Sequence, residues 1–318
     1  MRIIFLLLIL SHIAILKYSK KSFYREVDLR KNYNPAFILN YDYLSQPLSE
    51  GPVTSTNGDV NIVVPKFKLH ACLIGKNFSN MLWSLFCYLY DEKAFTKKHR
   101  FLKENYWGKN ICSKNIVESN FKRSAIKYNK RRLIRFEKEW KHIMVIRHPI
   151  DRFISAFTSL CTSQHYNANS YRACFTCGND MKCLLNNIHY KMNSFLTKNE
   201  KVDHFLVYNF FPQTWQCQYH EYKRHYITIK YDSSNLELFY ENLISLLEEQ
   251  RISEGTVAYI NNEIRNTTGI LTKKHKDLNS YYKSEIYNDP YLLKMISIIY
   301  YNDFKEFNFD YPYPKIKI

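Results

Sequence analysis

Apolar positions along the chain fall into two recurring patterns. Short runs fit buried strands: LHACLI (69–74), the four residues Ile143–Ile146, and HYITIKYD (225–232), which alternates at Tyr226, Thr228 and Lys230. Longer stretches carry helical spacing: MLWSLFCYLYDEKAF (81–95), then Ile150, Phe153, Ile154 and Phe157 after the second strand, LELFYENLISLLEEQ (236–250) and PYLLKMISIIYYNDFKEF (290–307). Residues 96–141 are strongly basic with helical portions, and residues 162–200 are polar and cysteine-bearing, expected as loops and a short helix. Strands alternating with helices predict an α/β domain whose central, mostly parallel sheet is flanked by helices.

The first residues depart from this alternation. MRIIFLLLILSHIAILKYSKK holds an apolar run from Ile3 to Leu16, short of the roughly 20 residues that span a bilayer. Residues 1–17 are read as a signal-anchor or signal peptide that takes the chain into the secretory pathway. Residues 18–65, with YLSQPLSEGPVTSTNGD, are read as a stem, and residues 66–318 as the folded domain. Eight cysteines in such a chain predict disulfides of open connectivity. CFTCGNDMKC (174–183) lacks the second C-x-x-C that a zinc ribbon needs.

A formal net charge of +17 favours polyanionic partners. The absence of zinc-finger, RRM and helix-turn-helix patterns, with a secretory start, argues against nucleic acid. Only 7 glycines occur, and neither a dinucleotide fingerprint nor G-x-x-x-x-G-K-[ST] is present.

Two strand–turn–helix stretches carry the chemistry. CLIGKNFSNMLWSLF (72–86) sets Lys76 in its turn and Ser79 at its helix start. IMVIRHPIDRFISAF (143–157) sets Arg147 in its turn, Pro149 to fix it, Asp151 as a helix cap, and Ser155 one helical turn on. A helix N-terminus beside a cation suits phosphate, and a guanidinium meets phosphate oxygens two at a time. Two such turns at the carboxyl edge of one parallel sheet predict a ligand with phosphates at two points.

This pair resembles the cofactor-binding elements of Golgi carbohydrate sulfotransferases that use 3′-phosphoadenosine 5′-phosphosulfate (PAPS), in the branch containing the chondroitin 4-O and HNK-1 enzymes. KNFSN resembles the 5′-phosphosulfate loop, P-K-x-x-S-T, and VIRHPIDRFISAF the 3′-phosphate element, V-R-x-P-x-x-R-x-x-S-A-[FY]. NFFPQTWQC (209–217) resembles the branch's H-[FW]-x-P-Q-x-x-x-C motif, and the likeness spans roughly residues 67–312. Gly75 stands where the family often has proline, Asn80 where it has threonine or serine, and Asn209 where it has histidine.

The resemblance implies a P-loop-like sulfotransferase fold and sulfuryl transfer from PAPS to a hydroxyl of a chondroitin-like glycan, with PAP as product and no metal. It assigns Lys76, Asn77, Phe78, Ser79 and Asn80 to the 5′ end of the donor, with Lys76 also neutralising the departing oxygen, and Arg147 and Ser155 to the 3′-phosphate. His99 is the candidate base, beside Glu92, Glu104, His204 and His275, whose spacing singles none of them out. Lys130, Arg131 and Arg132, within the basic stretch 122–135, are candidates for an acidic glycan or proteoglycan acceptor.

The expected place is the lumenal side of the Golgi membrane, held through the N-terminal segment, or outside the cell if that segment is removed. Of two N-x-[ST] sequons, Asn266 is the candidate glycan site, because a glycan on Asn77 would block the donor loop. The departures at Asn80 and Asn209 support a rival, a glycan-binding relative with weakened or lost turnover. A secretory-pathway kinase is the second rival.

Overall fold

Five strands form one mixed sheet in the order β3-β1-β2-β4-β5. The computed structural model describes residues 59–105, 112–162, 172–198, 200–268 and 273–312. The N-terminal segment read as an anchor, and the stem up to residue 58, lie outside the described residues. Among the described residues no helix is long and apolar enough to cross a membrane.

The strands are β1 (Val60–Val64), β2 (Leu69–Leu73), β3 (Val117–Glu118), β4 (Lys141–Ile146) and β5 (Tyr226–Lys230). The three strands legible in the sequence, β2, β4 and β5, are mutually parallel, with Ala71 opposite Ile143 and Met144 opposite Thr228. β1 adds antiparallel to β2, with β3 antiparallel beyond it. The stretch assigned to the stem therefore gives the sheet its strand Val60–Val64, whose Ile62, Val63 and Val64 are fully buried.

The helices needed here are α1 (Ser79–Tyr90), α2 (Glu92–Lys98), α3 (Phe121–Tyr128), α4 (Leu133–Glu139), α5 (Pro149–Leu160), α6 (Met181–Lys198), α7 (His204–Phe210), α8 (Leu236–Glu249), α9 (Glu254–Thr268), α10 (Lys273–Asn288), α11 (Pro290–Ile299) and α12 (Tyr301–Glu306). The helix expected over 81–95 is two, because Asp91 leaves helical geometry and caps α2 by accepting from the Ala94 N–H. The helix expected over 290–307 breaks at Tyr300, whose buried hydroxyl donates to the Phe210 carbonyl at 2.7 Å.

Helices cover both faces of the sheet. Leu82, Leu85 and Phe86 of α1 with Phe239, Leu243 and Leu247 of α8 pack one face, and Phe121, Phe136, Tyr222 and Tyr226 the other. All eight cysteines are paired: Cys72–Cys217, Cys87–Cys112, Cys161–Cys174 and Cys177–Cys183. The C-x-x-C cysteines thus go to two different disulfides, which removes them as metal ligands. Cys72–Cys217 staples β2 to the end of the 209–217 segment, the closure that matters most for the site.

Candidate active site

The chain leaves β2 through Ile74 and Gly75 into a turn where Lys76 and Phe78 both have positive φ, 70° and 61°. Such left-handed residues cost about 1–3 kcal/mol each unless their surroundings hold them. The holding contacts are specific. The Gly75 N–H donates to the Tyr208 carbonyl at 3.0 Å, and a Cβ on Gly75 would stand 2.5 Å from that oxygen. Neither proline, which lacks the N–H, nor any larger residue fits where α7 presses on the turn.

Asn77 is 1% exposed, and its Nδ2 donates to the Val145 carbonyl at 2.9 Å and to Gln213 Oε1 at 2.5 Å. Its side chain is thus the turn's anchor on β4, facing inward rather than toward a ligand, and no glycan can attach there in the folded state. Phe78 likewise turns inward, its ring 4.9 Å from Phe239 and 5.7 Å from Tyr231. Ser79 is buried with its hydroxyl hydrogen-bonded to Tyr208, and Asn80 is exposed. No side chain caps α1, so its first N–H groups are open to an anion.

Arg147 follows β4 directly. Its Nη1 donates to the Lys76 carbonyl at 3.0 Å, its guanidinium lies 5.2 Å from the Tyr231 ring centroid, and its Nε is buried without a hydrogen-bond partner. The Lys76 ammonium donates to Ser159 Oγ at 2.6 Å, and Ser159 donates to the Ser155 carbonyl at 2.7 Å. Ser155 is half-buried one turn earlier on α5. Asp151 does not cap α5 as expected; it pairs with Lys283 of α10 at 2.7 Å.

Three cations converge here. Burial, then Arg147 and Arg152, depress Lys76 to about 8, and burial lowers both arginines from their usual range. An orphaned Arg147 Nε, open helix N–H groups and mutually repelling cations fit a phosphate-bearing ligand.

Four residues that build this cleft are not legible as such in the sequence. Arg152 is fully buried and donates to the carbonyls of Gly75 (3.1 Å), Tyr208 (3.1 Å) and Phe211 (2.8 Å), clamping the lysine turn to the 208–211 segment. Asp303 of α12 accepts from the Gln213 N–H (2.8 Å) and from the N–H and hydroxyl of Thr214 (2.9 Å each). Gln213 in turn holds Arg147, and Tyr208 walls in Gly75 and Ser79. Arg152 sits between the apolar residues Ile150 and Phe153, which masks it; its place in R-x-P-x-x-R is the signal that could have found it. Asn209 is buried, its Nδ2 donating to the Phe205 carbonyl at 2.9 Å.

The structure does not bring the candidate bases to the cleft. His99 packs 5.2 Å from the Phe95 ring, which itself packs on Tyr88 near the C-terminal end of α1, away from Lys76. Glu92 binds Tyr88 at that same end, and Glu104 accepts from the Arg100 and Phe101 N–H groups. His204 is exposed at the start of α7, and the side chain of His275 lies outside the described residues. The titratable groups around Arg147 instead include Tyr231, Asp151, Asp232 and the adjacent His148.

Lys130, Arg131 and Arg132 form the turn between α3 and α4, with Lys130 and Arg131 at φ 51° and 63°. Arg131 and Arg132 line a shallow surface cavity of about 830 Å³ with Leu133, Ile134, Arg135, Lys138 and Glu139. Glu139 pairs with Lys68, just before β2, whereas Lys76 follows that strand's other end. A five-residue strand rises roughly 16 Å, so the far side of this cavity is at the opposite sheet edge from the cleft.

Comparisons with known proteins place the chain in a family. The chain is 25% identical over 252 residues to Carbohydrate sulfotransferase chst-1 of Caenorhabditis elegans, covering 78% of this chain and 74% of that protein. It is 25% identical over 252 residues to Uncharacterized protein C18B2.2 of the same organism, covering 79% and 69%, and 30% identical over 204 residues to vep-2, covering 64% and 61%. No solved structure matches. The model described as Sulfotransferase family matches residues 61–310, which takes in the described sheet from Asn61 onward and the turns that carry Lys76 and Arg147, and the chain belongs to that family.

Proposed function

We propose that this sulfotransferase moves the sulfuryl group of PAPS onto a hydroxyl of a chondroitin-like glycan in the Golgi lumen and releases PAP. The observation that carries the reading is the contact between the two turns: Arg147 touches the backbone of Lys76, so one nucleotide with phosphates at both ends can engage both. Four disulfides fit an oxidising lumenal compartment.

PAPS would supply the sulfuryl group: its bond to the 5′-phosphate oxygen breaks as the acceptor oxygen bonds to sulfur, PAP leaves, and the acceptor hydroxyl's proton passes to water. The protein's part is alignment and charge stabilisation, as in phosphoryl transfer. The Lys76 ammonium neutralises charge at the departing phosphate oxygen, and the open N–H groups at the start of α1 hold the 5′ end beside Ser79 and Asn80. Arg147 offers its free Nε to the 3′-phosphate, with the Ser155 hydroxyl alongside.

The basic turn takes part at a distance. Lys122, Lys127 and Arg135 are neutralised by Glu221, Glu118 and Glu139, whereas Arg123, Lys130, Arg131, Arg132 and Lys138 are exposed without an ion pair among the described residues. These five suit the remainder of an extended acidic chain rather than the sugar that is modified.

Transfer of labelled sulfate from PAPS to desulfated chondroitin, heparan and N-glycan acceptors, with an ATP arm, tests the reading. Label on chondroitin is expected. Binding of PAP with no transfer to any acceptor would favour a binding relative, and ATP-dependent labelling a kinase.

A further inference from the structure

Gln213 touches neither open face of the cleft, yet every hydrogen-bonding atom of its side chain is used. It is fully buried. Its Oε1 accepts from the Arg147 N–H at 2.9 Å and from Asn77 Nδ2 at 2.5 Å. Its Nε2 donates to the Arg147 carbonyl at 2.9 Å and to Asp303 at 3.2 Å. The amide therefore pairs with both backbone groups of Arg147 as a neighbouring strand would, while its oxygen also ties down the lysine turn. Asp303 fixes the amide from behind through the backbone of Gln213 and Thr214.

We infer that Gln213 is a positioning residue that sets the spacing between the Lys76 turn and the Arg147 turn, so that a ligand bearing two phosphates is gripped at both ends at once. The inference rests on the donor reading above. Simultaneous engagement raises affinity only if the two sites stand at the ligand's own span. An amide of this length accepts from an N–H while donating to the same residue's carbonyl. A carboxylate of the same shape only accepts, and it would face the Arg147 carbonyl and Asp303.

The test compares affinities for adenosine 3′,5′-bisphosphate and adenosine 5′-phosphate in the full chain, by titration, for wild type, Gln213→Glu and Asn77→Ala. Asn77→Ala removes the Gln213 tie to the lysine turn together with the bond from Asn77 to the Val145 carbonyl, and serves if Gln213→Glu does not fold. Wild type is expected to prefer the bisphosphate by on the order of 100-fold or more. The variants are expected to lose about tenfold of that preference while 5′-phosphate affinity changes less than about threefold. An unchanged ratio in a folded variant, or equal loss of both affinities, would overturn the positioning role. A wild type that binds neither nucleotide would overturn the donor reading itself, and this inference with it.

Discussion

The Arg147 guanidinium donates to the backbone carbonyl of Lys76 at 3.0 Å, so the turns that end β2 and β4 share one wall. Arg147 thereby has two tasks: it braces the lysine turn through Nη1 and leaves Nε free for an anion. A lysine at position 147 keeps the charge but cannot do both, because an ammonium has no planar fork. Arg147→Lys is expected to weaken PAP binding by about 1.5–3 kcal/mol, roughly tenfold to a hundredfold, in a titration. Unchanged affinity would show that the fork is not used.

Lys76 makes the site sensitive to alkali. Burial, Arg147 and Arg152 depress it to about 8, so the free protein loses this proton as pH rises through that value. Anion binding needs the proton. PAP affinity is therefore expected to be level from about pH 7, where the phosphates are fully ionised, to about pH 8, and to fall above it. Lys76→Arg, which stays protonated, should remove the fall; a persistent fall would assign it to another group.

Gly75 is required by space and by a hydrogen bond. In Gly75→Ala the added carbon would meet the Tyr208 carbonyl at 2.5 Å, a backbone atom that cannot step aside alone. The expected cost is about 1–3 kcal/mol in denaturant unfolding, with weaker PAP binding because the Lys76 turn is displaced. Wild-type stability in this variant would mean that α7 is free to move away.

The parts read correctly from the sequence are those with local cause. Four apolar residues ending at Ile146 fix a buried parallel strand, and a polar turn with a cation followed by apolar residues at helical spacing marks each strand–turn–helix junction. The misses have physical reasons. Met181, Leu184, Leu185, Ile188 and Met192 line the buried face of the 18-residue α6, but the asparagines between them make the stretch read as loops with only a short helix. Val60–Val64 lies beside Pro65 and a turn-rich stem, and becomes a strand only because β2 pairs with it. Arg152, Gln213 and Asp303 act through partners 56 to 136 residues away, a separation that no local pattern encodes.

The buried histidine pair predicts acid lability. His142 Nε2 faces the Phe136 carbonyl at 3.0 Å and so carries hydrogen, leaving its Nδ1 to accept from His70 Nδ1, also at 3.0 Å. His70 Nε2 is then bare and faces the Asn61 amide at 2.9 Å. The amide nitrogen, otherwise buried without a partner, completes this chain if the amide is turned over. Both rings are neutral: burial depresses His142 to about 4 and His70 well below its usual value. The unfolded chain takes up these protons near pH 6.5 and the folded one does not. Stability is thus full above about pH 6.5 and is lost as pH falls toward 4. Denaturant unfolding is expected to show about 2–4 kcal/mol less stability near pH 5 than near pH 7. Equal stability at the two values would contradict the neutral pair.

The most direct measurement is transfer of labelled sulfate from PAPS to desulfated chondroitin by wild type and by Lys76→Ala, with circular dichroism to confirm that both are folded. The account predicts transfer by wild type and its loss, by on the order of 100-fold or more, in the folded variant. Transfer by Lys76→Ala at the wild-type rate would contradict the account, because no cation would then be needed where the phosphate leaves.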